Sequence, residues 1–280
     1  MIDATLLVAA TLLVALHFVA EPWRWLRVYG AGRDRAGDLF ATFFASALAS
    51  YLLPFKLGIP LRLALLARTL REDTGVLLRW IGWDGAAALA AWLALSGAGV
   101  ALLLRRGLAW PQAAQPGRMA LVVALALLAG AVVFALWHRS RRRADAAPSR
   151  PMLPSRGVAV AAFGWCAADV ATYALRHAAL FAVVAPQCDA LACAAVGVVA
   201  TFAGIASGLP LGLVGYDAAL VALTVLVGGT AEQGAGVAVI NRGMNLGVAF
   251  ALGIPAGMRL GLGASPLAVV RRLRSRDPDA

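Results

Sequence analysis

The sequence predicts an all-α, polytopic membrane protein: an inverted repeat with two re-entrant broken-helix hairpins and about five full spans. Three observations carry that expectation. The chain has 280 residues, of which 61% are hydrophobic and only 14% charged, whereas a soluble domain carries about 25% charged residues. Its apolar segments are punctuated by short arginine-rich stretches. Two of those segments are interrupted at their centres by proline, glycine and charge. The mean hydropathy, +0.80, leaves little room for a soluble domain.

The two interruptions organise the chain. The first, 49–66, reads ASYLLPFKLGIPLRLALL and holds Pro54, Lys56, Gly58, Pro60 and Arg62. The second, 206–220, reads ASGLPLGLVGYDAAL and holds Pro210, Gly212, Gly215 and Asp217. Proline removes a backbone donor and clashes with the preceding turn, and glycine adds a soft joint. A helix broken at membrane depth persists only where protein or a polar cavity covers the freed backbone groups. Both breaks are therefore expected to line a cavity.

In chain order, Ile2 to Ala20 is apolar and long enough to span. It lacks the positive leading region of a signal peptide, so it is read as a retained first helix. Glu21, Pro22, Trp23, Arg24, Trp25 and Arg27 follow as an interfacial segment. Leu39–Leu53 is about 22 Å long as a helix and Leu61–Leu70 about 15 Å, so neither spans alone. Together they suit a hairpin that enters and leaves on one side. Val76–Leu104, Arg118–Trp137, Gly157–Val184 and Gly234–Met258 are each long enough to cross. Leu191–Ser207 and Tyr216–Val227 flank the second break. The organisation expected is a single transmembrane domain over 1–280. Repeat one covers about 1–104, a connecting span 118–137, repeat two about 157–258, and a basic tail 259–280.

The formal net charge is +11, and Lys56 is the only lysine. The arginines flank apolar segments, as the positive-inside rule requires of cytoplasmic loops. That places the 138–156 loop and the C-terminus in the cytoplasm and removes the nucleic-acid reading. With an external N-terminus, the first hairpin opens from the cytoplasm and the second from outside. The three cysteines and three histidines are scattered, with no metal-ligand spacing, so no metal, cofactor or disulfide framework is expected.

Charges inside apolar segments carry the functional reading, since each costs ~2.5–3.5 kcal/mol at a helix centre on insertion scales. Arg62 and Asp84 fall in the first half, Asp217 and Arg242 in the second, in reversed order of sign. These four are expected to form one central network, with Arg62 opposite Asp217. Asp169, Tyr173 and Arg176 share a helix face, either as a helix-internal Asp–Arg pair or as cavity lining. Asn241 and Asn245 flank Arg242 and either bond across helices or line the path. Lys56 either joins Arg62 and a helix N-terminus around a phosphate or reaches to the interface.

Leu53-Pro54, Lys56, Gly58 and Arg62, followed by Asp84, and then Pro210, Gly212, Gly215, Asp217 and Arg242, resemble the flippase-like transmembrane family named for the membrane domain of lysylphosphatidylglycerol synthases. The similarity runs through most of the chain in order and spacing. Ile59 stands where that family has an acid, Trp80-Ile81 replaces a Glu-Arg pair, and the second turn reads Pro-Leu-Gly. The resemblance implies movement of a lipid between leaflets of a bacterial inner membrane, without the soluble aminoacyl-transfer domain and its chemistry. The expected ligand is an amphiphile whose phosphate or other charged head contacts Arg62 and Arg242, with Asp84 and Asp217 holding those arginines. No catalytic constellation is read from the sequence, so an enzyme is not expected. Two other classes were weighed: a membrane-embedded lipid-linked glycosyltransferase, which needs a nucleophile, metal site or acidic loop motif, and an accessory subunit that binds partner helices only.

Overall fold

A computed structural model of the chain describes residues 3–30, 33–52, 58–72, 74–106, 155–207 and 214–262. The described residues form helices α1 (Ala4–Val28), α2 (Ala36–Leu52), α3 (Gly58–Leu70), α4 (Thr74–Arg105), α5 (Arg156–Val184), α6 (Ala190–Ala206), α7 (Gly215–Leu226) and α8 (Ala231–Arg259), with a short 3-10 turn at Arg33–Arg35 and no strands. The protein is all-α and polytopic. Helices α1, α4, α5 and α8 are each long and apolar enough to cross a membrane. Val8, Leu12 and Leu16, four residues apart on α1, are all exposed, as a lipid-facing stripe should be. The expected connecting span 118–137 and most of the basic tail lie outside the described residues.

Helix starts follow the side chains available. Asp3 caps α1 by accepting from the Thr5 and Leu6 amides. Thr230 and Gln233 form a capping box at α8, satisfying two orphan donors reciprocally. Asp189 caps α6 through the Ala192 amide at 2.8 Å. That hydrogen bond holds the Asp189 carboxyl below its ordinary pKa, with Arg106 acting in the same direction.

One expectation is corrected at α1. The helix does not end at Ala20; it continues through Pro22 to Val28. A buried helix tolerates proline where neighbouring helices cover the freed carbonyl, and Pro22, Arg24 and Trp25 are all buried. The expected interfacial segment is thus the inner end of a long helix.

Both short-helix pairs form hairpins. The hydroxyls of Thr42 and Thr69 meet at 3.2 Å, joining the start of α2 to the end of α3. The arms of the two hairpins use one device twice. A Cβ on Gly58 would lie 1.8 Å from Ser50 Oγ and 2.5 Å from the Ser46 carbonyl, and one on Gly215 would lie 2.7 Å from Ser207 Cβ and 3.0 Å from the Ala203 carbonyl. The spacing along the chain is the same in both hairpins. Gly58, Pro60 and Gly215 therefore stand inside the first turns of α3 and α7. A first turn has no intrahelical acceptor for its N–H groups, so Pro60 fits there without breaking anything. Pro54, Lys56, Pro210 and Gly212 lie outside the described residues.

The two hairpins enter from opposite ends of the bundle. Arg106, just past α4, pairs with Asp189 at the start of α6; Arg259, ending α8, bonds Asp38 at the start of α2 at 2.9 Å. Each long helix therefore finishes at the open end of the other half's hairpin. Along their lengths α2 packs on α8, α4 on α6, and α1 on α5. Trp25, Leu39, Phe43, Leu66 and Leu77 make one core in the first half; Phe181, Val196, Leu220 and Val237 anchor another in the second.

Gly58→Ala should lower stability in detergent by about 1–3 kcal/mol through overpacking. Adding Ser50→Ala should not restore it, because the Ser46 carbonyl and Ser50 amide still block the methyl group. Gly85→Ala, with nothing within 4 Å of its Cβ, should be neutral or stabilising. Thermal melts of the three variants check this.

Candidate functional site

Between the two hairpins lies a cavity of about 370 Å³, to which every described long helix except α4 contributes. Its polar lining includes Glu21, Arg62, Arg176, Asn241, Arg242 and Asn245. Its apolar lining includes Phe18, Phe43, Ile59, Ile205 and Leu246. The cavity thus brings together Arg62, Tyr173, Arg176, Asn241, Arg242 and Asn245 from the residues singled out in the sequence. Asp84, Asp169 and Asp217 do not line it.

The expected four-charge network is absent, and three separate ion pairs replace it. Arg62 donates from Nε to Ser46 Oγ at 2.9 Å, pairs with Glu21, and lies 4.6 Å from the Phe43 ring centroid. Arg242 donates to Asp217 through Nε at 3.1 Å and Nη2 at 2.7 Å, since α7 and α8 pack directly. Asp84 receives both Nε and Nη2 of Arg24 at 2.7 Å and the Tyr29 hydroxyl at 3.3 Å. Arg24 is 4% exposed and Asp84 6%. This third pair ties the inner end of α1 to α4 and stands apart from the cavity. Arg62 does not face Asp217 because Glu21, on the extended α1, takes its place.

Of the two readings left open for α5, the helix-internal Asp169–Arg176 pair does not form, and Tyr173 and Arg176 line the cavity. Asp169 instead accepts from His17 Nδ1 at 2.7 Å, and His17 Nε2 meets the Tyr173 hydroxyl at 2.9 Å. Arg176 is 2% exposed. Its guanidinium stacks 4.3 Å above the Tyr173 centroid, and its Nη1 reaches Asn245 Oδ1 at 3.4 Å. Its Nε has no hydrogen-bond partner among the described residues.

A chain of neutral side chains supports this wall. His177 Nδ1 lies 2.7 Å from the Tyr173 carbonyl. A carbonyl only accepts, so Nδ1 carries the hydrogen, and a neutral ring then accepts at Nε2 from the Tyr216 hydroxyl at 2.9 Å. Asn241 donates to the same hydroxyl at 2.8 Å. Asn245 donates to the Asn241 carbonyl at 2.6 Å and takes the Tyr51 hydroxyl at 3.4 Å. Asn241 and Asn245 therefore both bond across helices and line the cavity. His177 fits against α6 only because position 197 is glycine: a Cβ there would lie 2.3 Å from the His177 Cβ.

The residues missed in the sequence are His17, Glu21, Arg24, Tyr51 and Tyr216. His17, Glu21 and Arg24 stand four and three apart on α1, one polar stripe on a helix face; that spacing was the available signal. Among the described residues no three His, Cys, Asp or Glu side chains gather as a metal site.

Asp84→Ala should cost about 3–5 kcal/mol, because it strands a buried guanidinium. The double variant Arg24→Met, Asp84→Leu should recover most of that loss by replacing both charges with apolar volume. Chemical unfolding of the purified single and double variants checks this.

The family model described as the lysylphosphatidylglycerol synthase TM region matches residues 1–253. Searches of curated proteins and of solved structures give no match. The match takes in both hairpins and every side chain of the cavity, and the chain belongs to the lysylphosphatidylglycerol synthase transmembrane-region family.

Proposed function

We propose that the protein is a flippase-like lipid translocase of the bacterial inner membrane, with its C-terminus in the cytoplasm. It would move an amphiphile with a charged head group between leaflets. The observation that carries this reading is the cavity itself: three arginines on its wall among the described residues, apolar side chains beside them, and arms of both hairpins contributing to it through Ser50, Ile59, Ile205 and Tyr216. Such a lining suits a molecule that is polar at one end and apolar at the other. The volume, about 370 Å³, falls within the ordinary range of small-molecule sites, roughly 300–1,000 Å³. That is room for a head group, with the acyl chains left in lipid.

The repeats are read as inverted. The reciprocal packing of α2 on α8 and α4 on α6, and the shared glycine device, support a pseudo-two-fold relation of the kind found in transporters. Alternating exposure would then come from one hairpin loosening while its counterpart stays closed. The Arg62–Glu21 and Arg242–Asp217 pairs, one beside each hairpin, are the contacts such loosening would break. The role is transport, without a bond-making step.

The test is mass spectrometry of lipids kept by the gently purified protein, beside an Ala47→Trp variant that fills the cavity. One lipid class should be enriched over the bulk membrane in the wild type and return to bulk proportions in the variant. Bulk proportions in both would overturn the translocase reading.

A further inference from the structure

Among the described residues three arginines line the cavity wall, and of these only Arg176 has no carboxylate partner there. Arg62 is held by Glu21 and Arg242 by Asp217. Asp169, two turns before Arg176 on α5, is turned to His17 and does not line the cavity. Arg176 is also the most buried of the three: it is 2% exposed, whereas the Arg62 side chain is 19% exposed and that of Arg242 25%. A buried guanidinium left without a counter-charge is costly. A fold keeps one where a ligand supplies the missing charge.

Its setting is that of a built receptor. Tyr173 fixes the plane of the guanidinium from below, and Asn245 holds Nη1 at one edge. The Nε edge is left without a partner among the described residues. Nε–H and the neighbouring Nη2–H run parallel along that edge, the geometry that binds an oxyanion through two oxygens once one is admitted beside the buried Nε. Asn245 is fixed in turn by Asn241, so the donor set is held before any ligand arrives.

We propose that Arg176 is the anion-holding, specificity-determining residue of the cavity, and that it takes one singly charged oxyanion, a phosphodiester or carboxylate, from the amphiphile's head group. This rests on the translocase reading of the same cavity. The paired Arg62 and Arg242 neutralise their own acids and do not set the charge preference. One unpaired guanidinium matches one negative charge, which favours a diester over a doubly charged monoester.

The experiment titrates the full-length protein in detergent with phosphatidylglycerol or with a neutral diglucosyl-diacylglycerol of the same chains, read by native mass spectrometry. Wild type, Arg176→Gln, Arg176→Lys, Gly85→Ala and Ala47→Trp are compared, and inorganic phosphate is added as a competitor. Wild type should prefer phosphatidylglycerol by about tenfold or more, and Arg176→Gln should lose that preference while still binding the neutral lipid. Arg176→Lys should recover part of it, and Gly85→Ala, which lies off the cavity wall with open space around its Cβ, should keep it. Ligand-free Arg176→Gln should melt at or above the wild-type temperature, because it removes an uncompensated charge; a purely structural arginine would give a drop. Equal preference in wild type and Arg176→Gln, or such a drop, overturns the assignment and leaves the translocase reading standing. Displacement of the lipid by inorganic phosphate at matching concentration overturns the lipid-borne source in favour of a soluble anion. Binding of both lipids by wild type no better than by Ala47→Trp overturns the translocase reading as well.

Discussion

An arginine surrounded by hydrocarbon must find a counter-charge or a wet cavity, and the architecture of this protein follows from where its arginines find theirs. Two of them pair at the exposed ends of the bundle, Arg106 with Asp189 and Arg259 with Asp38, where each contact adds little stability but marks which ends meet. These contacts join each long helix to the far half's hairpin, and the two hairpins run in opposite directions. Arg24 and Asp84 make a closed, bidentate pair deep between α1 and α4. That geometry satisfies both ions as fully as two side chains can. Arg62 and Arg242 are paired on the cavity wall, partly exposed to it.

Much of this was legible in the sequence, because hydrophobic length is a strong signal. Among the described residues, the bounds expected for the spans and hairpin arms fall within a few residues of the helices that form, apart from the first. The misreading of α1 has a local cause. Glu21, Pro22 and two tryptophans interleaved with arginine carry every mark of an interface. The burial of Pro22, Arg24 and Trp25 goes with α4 offering Asp84 to Arg24 and α3 offering Arg62 to Glu21, and neither offer is visible in a linear window. The same limit explains Asp169 and Arg176. Spacing along α5 places both on one face, but His17 from α1 reaches Asp169 first.

The break residues show a second limit. Glycine in an interrupted helix reads as a joint, and that reading assigns Gly58 and Gly215 to motion. In the fold both are points of closest approach between antiparallel arms, where even a methyl group meets backbone atoms. Small residues at helix contacts let backbones approach closely where no hydrophobic driving force separates lipid from protein. The distinction matters for the proposed mechanism. Arms tightly joined at their tips move as one body, so a hairpin would shift as a unit instead of unfolding at its turn.

The cavity and the stability of the bundle pull against each other at one residue. Arg24 has its charge answered within the protein and contributes to holding α1 on α4. Arg176, at least as deeply buried, has an aromatic face and one long amide contact but no acid among the described residues. Placing an acid opposite it was within reach, since Asp169 lies on the same helix, yet that carboxylate is spent on His17. A neutralised Arg176 would make a more stable bundle and a poorer receptor, because an incoming oxyanion would then have to displace a carboxylate already in place. Stability lost at a binding residue is the expected signature of a site whose partner arrives from outside. On the proposed reading, the partner that completes the charge balance of this fold is the head group it carries.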